Sequence, residues 1–159
     1  MKIPIRSFVK IPIEQTLSDS TIFCIFTTKL LLFSASPVNQ TFHIEGVRHV
    51  LPTNAREGFE SNRALAVDVR EAHEVMASSV DCPQLLLYPL DQLNELCTEL
   101  PLNTAVIVIC NHGIRSAQAV ELLQHKGFTE VYNLDGGMHA WIEAGLPVAG
   151  GGGCSCGCH

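Results

Sequence analysis

The sequence predicts an α/β domain with a mostly parallel central sheet and helices on both of its faces. Between about residues 48 and 148, short apolar runs alternate with segments of helical periodicity. The most apolar run, AVIVI at 105–109, is β-branched after its alanine and has no polar face, as a strand covered on both sides requires. A chain of 159 residues, 47% hydrophobic and 16% charged, is long enough for one cored domain with extensions.

The elements follow in order. PTNAREGF (52–59) reads as a short helix with Pro52 at its start, where a missing N–H costs nothing. ALAVDV (64–69) reads as a buried strand and EAHEVMA (71–77) as a helical turn. LLLY (85–88) is the next strand and LDQLNELCTEL (90–100) the next helix. After AVIVI, SAQAVELLQHK (116–126) has helical spacing and is closed by Gly127. EVYNL (130–134) is the last strand of the series and DGG its turn. MHAWIEA (138–144) is a final helix stopped by Gly145 and Pro147.

Composition removes some functions. The formal net charge is -6 with only ten Lys and Arg, which gives no electrostatic footprint for nucleic acid. Seven cysteines are scattered singly except for three in the last six residues, which is not the pattern of a disulfide scaffold. Free thiols beside an adequate core point to a reducing compartment, the cytoplasm. Residues 1–44 form an extension with no assigned role. Its apolar run, TIFCIFTTKLLLF, is interrupted by Lys29 and at about 13 residues is too short for stable membrane insertion. A basic start, an apolar stretch and SAS (34–36) leave a periplasmic alternative, with residues 1–36 acting as a signal.

The chemistry is concentrated where AVIVI ends. Cys110 falls at the junction of a strand and a helix, where unpaired backbone N–H groups and the helix dipole favour negative charge. The peptide groups of Asn111, His112, Gly113, Ile114, Arg115 and Ser116 are placed to curl into an anion-binding nest around it, with Gly113 permitting the turn. A sulfur among N–H donors, a helix start and Arg115 is predicted to act as a thiolate nucleophile. Cysteine at a strand end is often only a small core residue. The polar CNHGIRS loop argues against that here. His112 neighbours Cys110 in sequence, but a Cys-His dyad is a matter of geometry that adjacency does not establish.

VDVREAHEV (67–75), VICNHGIRSAQAVELLQHKGFTEVYNLDGGMHAW (108–141) and GLP (145–147) together resemble a single rhodanese domain, occupying residues 45–148 of the chain. The resemblance implies the rhodanese fold and a sulfurtransferase. In the implied mechanism, Cys110 takes the outer sulfur of thiosulfate as a persulfide and passes it to cyanide or a thiol, with no cofactor. The expected partners are therefore small sulfur donors and thiol acceptors, with a sulfur-accepting protein as a further candidate. The resemblance also places the arginine of DVR, Arg70, near the site, as an anion contact or as a structural salt bridge, and casts Asp68 as a brace for loops. Residues 78–90, SSVDCPQLLLYPL, depart from the family's usual GHIxGAxxIP pattern. Phosphatases built on the same fold separate Cys and Arg by five residues. Here Cys110 and Arg115 are separated by four, a tighter loop suited to a sulfur atom. A rhodanese-like binding module is expected to have lost its cysteine, which this chain keeps.

The tail, residues 149–159, is the second unusual feature. Its glycines make a tether whose eight residues span roughly 15 Å as a random coil. Cys154, Cys156, Cys158 and His159 are candidate ligands for zinc or copper(I). The other readings are a relay in which a tail thiol collects sulfur from Cys110, and an end with no role. A metal-binding or sulfur-relay protein with the domain as platform is thus the alternative function.

Overall fold

A computed structural model of the chain describes residues 33–150. Its strands are β1 (His49–Val50), β2 (Ala64–Asp68), β3 (Ser79–Val80), β4 (Leu85–Leu87), β5 (Ala105–Ile109), β6 (Val131–Leu134) and β7 (Val148–Ala149). Its helices are α1 (Pro52–Glu60), α2 (Ala72–Ala77), α3 (Leu93–Leu96), α4 (Ile114–His125) and α5 (Gly137–Glu143), with a 3-10 turn at Cys97–Glu99. Five strands form a parallel sheet in the order β1-β6-β5-β2-β4, and β3 pairs antiparallel with β7 beside it.

Strand periodicity sorts the core into two layers. Successive side chains of a strand point to opposite faces. β5 accordingly sends Val106, Val108 and Cys110 to one side, where they meet Ala117, Val120 and Leu123 of α4 and Leu93 of α3. Ile107 and Ile109 go to the other side, among Ala55 and Phe59 of α1 and Met138 and Trp141 of α5. The sheet is therefore covered on both faces, as the unbroken apolar run required. Trp141 is buried, and its indole N–H donates to the Pro147 carbonyl at 2.8 Å.

The expected helix over 90–100 is the largest departure. Only Leu93–Leu96 is α-helical, followed by the 3-10 turn. Its start is delayed because the Tyr88 and Leu90 N–H groups donate to the Asp68 and Val69 carbonyls, keeping this stretch beside the end of β2. Its end is set by Pro101, which disfavours helical geometry at Leu100, whose backbone is extended. The strands β1, β3 and β7 have two residues each, too few to show a period. Helix α4 starts at Ile114, two residues earlier than its apolar spacing suggests, because Gly113 serves as its N-cap.

Candidate active site

The end of β5 delivers Cys110 to the carboxyl edge of the sheet, 2% exposed. The chain then turns through Asn111 and His112 to Gly113, whose φ of +86° is open to glycine and strained for other residues. That turn brings the Gly113 N–H back to 3.1 Å from the Cys110 sulfur. One helical turn on, the buried Ser116 hydroxyl lies 3.1 Å from the same sulfur. Of the six residues expected to ring the sulfur, Gly113 and Ser116 contact it.

The underside of the loop rests on α5. The Met138 N–H donates to the Cys110 carbonyl at 2.8 Å and the His139 N–H to the Asn111 carbonyl at 3.0 Å. Loop carbonyls are thereby satisfied by the orphan donors of a helix start. Close approach here depends on Gly137, where an added Cβ would stand 2.3 Å from the Cys110 oxygen.

Glu74 organises one side of the site and was not singled out by the sequence reading. Its carboxylate accepts from both Arg115 terminal nitrogens at 2.9 and 2.8 Å, from the Asn111 amide at 2.7 Å and from the Glu71 N–H at 3.0 Å. The last contact is half of a capping box on α2, and the ExxE spacing of Glu71 and Glu74 was its available signal. The Arg115 hydrogen bonds, foremost, hold the Glu74 carboxyl down at about 2, against the opposing effect of partial burial. The same bonds raise Arg115 further above its usual value. Arg115, expected to face an anionic donor, is therefore a half-exposed member of an ion pair that braces the loop.

A folded-state depression stabilises the fold above the ordinary carboxyl range and is lost as pH falls from about 4.5 to about 2. Glu74→Gln is expected to lower the urea midpoint at pH 7. The gap to wild type should narrow as pH falls through that window. Equal midpoints at neutral pH in urea titrations would show that the brace contributes nothing.

Arg70 is 1% exposed, and its guanidinium forms a two-point pair with Asp68 while also reaching the Ser78 carbonyl at 2.8 Å and Asn111 Oδ1 at 3.0 Å. Of the two roles considered for it, this geometry is that of a structural salt bridge, and its contact with the site is through Asn111. Burial among these partners removes it as a free anion contact. Asp68 braces Arg70 rather than the sulfur. His112 is exposed with its ring 5.6 Å from that of His139, and Ile114 is exposed. The sulfur's polar partners are Gly113 and Ser116.

Gln40, His49 and Asn133 complete the surroundings. Each lies far from Cys110 in sequence, and only the fold brings them in. Among the described residues the free thiols are Cys82, Cys97 and Cys110, and no group of three metal-ligating side chains occurs. The tail candidates Cys154, Cys156, Cys158 and His159 lie outside the described residues. No helix among the described residues is long and apolar enough to cross a membrane.

A parallel sheet covered on both faces, with a cysteine cradled at its carboxyl edge, is the arrangement of a rhodanese. Residues 51–144 match the rhodanese-like domain, and the chain belongs to that family. It is 33% identical over 89 residues to a protein named sulfurtransferase from Allochromatium vinosum, across 56% of this chain and 81% of that one. It is also 33% identical over 101 residues to the thiosulfate sulfurtransferase GlpE of Vibrio cholerae, across 63% of this chain and 92% of the relative. A rhodanese-related protein from Thermoplasma volcanium superposes with a TM-score of 0.58 at 32% identity, over 64% of this chain and 96% of that one. The polysulfide-sulfur transferase homodimer of Wolinella succinogenes does so with a TM-score of 0.59 at 28% identity, over 70% and 82%.

Proposed function

We propose that the protein transfers sulfane sulfur through a persulfide on Cys110, taking it from thiosulfate or a related donor and giving it to cyanide or a small thiol. The observation that carries this reading is the Gly113 N–H aimed at one buried sulfur where β5 runs into the start of α4. The relatives named sulfurtransferase support the same class of reaction.

In the first step the Cys110 thiolate attacks the outer sulfur of thiosulfate. A sulfur–sulfur bond forms to Cys110, the bond within thiosulfate breaks, and its electron pair leaves on sulfite. In the second step the acceptor attacks the outer sulfur of the persulfide, and the electron pair returns to Cys110. Anionic sulfur recurs in both steps, so the fixed Gly113 N–H lowers the barrier without reorganising. The positive end of α4 acts in the same sense. Arg115 stays paired with Glu74, so its part is to brace the loop that carries Cys110.

The experiment is intact mass of the reduced, metal-free protein and of Cys110→Ser after brief thiosulfate exposure, with sulfite followed in parallel. One added sulfur atom on wild type alone, matched by sulfite, is the expected result. No adduct with thiosulfate, polysulfide or a persulfide donor would sink the reading.

A further inference from the structure

Hydrogen-bond direction can be traced from a backbone amide to the Cys110 sulfur. The Gly136 N–H is a donor only, and it points at Gln40 Oε1 at 3.0 Å. Gln40 Nε2 must then be the donor that reaches the Phe42 and Gly113 carbonyls, at 2.7 and 3.3 Å. Gln40 Oε1 also takes a bond from Asn133 at 3.1 Å, so Asn133 presents its Nδ2 to Gln40 and its Oδ1 to Ser116. An amide oxygen only accepts, so the single Ser116 hydroxyl proton goes to Asn133. What Ser116 turns toward the sulfur is a lone pair. From this side the sulfur faces an acceptor.

The same direction runs the other way into His49. Asn133 Nδ2 donates to His49 Nδ1 at 3.0 Å, and His49 Nε2 lies 3.1 Å from His43 Nδ1. This pattern needs neutral His49. Burial pushes His49 down, the Asp135 carboxylate opposes that, and His43 adds to it.

Gln40 is held at both ends. The buried Asp135 carboxylate accepts the Val38 and Asn39 N–H groups at 2.7 and 3.0 Å, and Phe42 packs on the core. The Gln40 side chain also occupies the space in front of Gly113, where an added Cβ would stand 1.7 Å from Oε1. Gln40 lies outside residues 51–144, the region matched to the family.

We infer that Gln40 is a positioning residue which, through Asn133 and Ser116, orders the hydrogen bond at Cys110 so that the resting sulfur is held as a thiol. The inference rests on Cys110 being the reacting sulfur. To favour thiolate or persulfide, Ser116 must swing its proton away from Asn133 and onto the sulfur. The Gly113 N–H already favours the anion, so the two partners of the sulfur act in opposite senses at rest. The other charged or titratable groups around this chain are the Asp68–Arg70 and Glu74–Arg115 pairs, Asp135, His43, His112 and His139.

The test is iodoacetamide labelling of Cys110, read by mass on the peptide that contains it, across a pH series. In Gln40→Ala, Asn133 loses the partner that fixes its amide, and Ser116 is free to donate to the sulfur. Labelling at pH 7 should be about fivefold faster than wild type, the equivalent of one ordinary net hydrogen bond, with the rates converging at high pH. Adding Ser116→Ala should erase the effect of Gln40→Ala, because the coupling passes through that hydroxyl. Unchanged or slower labelling in Gln40→Ala, or acceleration that survives Ser116→Ala, overturns the inference. Labelling needs no sulfur donor, so faster labelling in a protein that releases no sulfite from thiosulfate would count against the transfer reading alone.

Discussion

Arg70→Ala should cost about 3–5 kcal/mol of stability, because it leaves a buried carboxylate without its counter-charge. Asp68 is 0% exposed and receives three hydrogen bonds from the Arg70 side chain, at 2.7 to 3.2 Å. Alanine removes all of them and opens a space too polar to close well. Two further anchors go at the same time, the bonds to the Ser78 carbonyl and to Asn111. The site should therefore loosen together with the fold. Urea unfolding at neutral pH measures the loss, and iodoacetamide labelling of Cys110 measures the loosening. A double change, Asp68→Asn with Arg70→Gln, removes both charges and should recover part of the stability. A single-variant loss under about 1 kcal/mol would mean that the pair is not the buried brace its geometry describes.

Gly137→Ala is the second large effect, expected at roughly 3 kcal/mol from backbone strain and two lost hydrogen bonds together. At φ +61° an alanine is strained wherever it sits. Here the added carbon would also meet Cys110 O at 2.3 Å and Asn111 C and O at 2.6 Å. Those atoms are backbone and have no rotamer to escape into. Helix α5 must back away, and the Met138 and His139 N–H groups then lose the Cys110 and Asn111 carbonyls. Gly145→Ala is the control, since Gly145 has φ +68° but open space around it. It should show the strain alone, about 1 kcal/mol. Equal urea midpoints for the two variants would refute the role assigned to the close approach.

What was readable from the chain was what local pattern encodes. The alternation of apolar runs and helical spacing announced the layered sheet, and AVIVI announced its central strand. Cys110, Gly113 and Ser116 were readable as a loop because residues so close in sequence have few ways to turn between a strand and a helix. Glu74 was missed because its importance comes from Arg115 and Asn111, which reach it across the fold. The helix expected at 90–100 failed for a related reason. Hydrogen bonds from Tyr88 and Leu90 to the end of β2 outweighed a periodicity that looked helical in isolation.

By itself, then, the sequence determined the architecture, the family resemblance and the identity of the candidate nucleophile, since each rests on periodicity or on spacing within a few residues. Only the tertiary structure decided how that nucleophile is held. It turned Arg70 and Arg115 into the cationic halves of ion pairs, and it placed Gly137 against the loop backbone. It also brought Gln40, Asn133 and His49 into one directed chain of hydrogen bonds. The physical reason is directional. A hydrogen bond depends on donor and acceptor orientation, here between residues as far apart in the chain as Gln40 and Asn133, and no hydrophobic period records that.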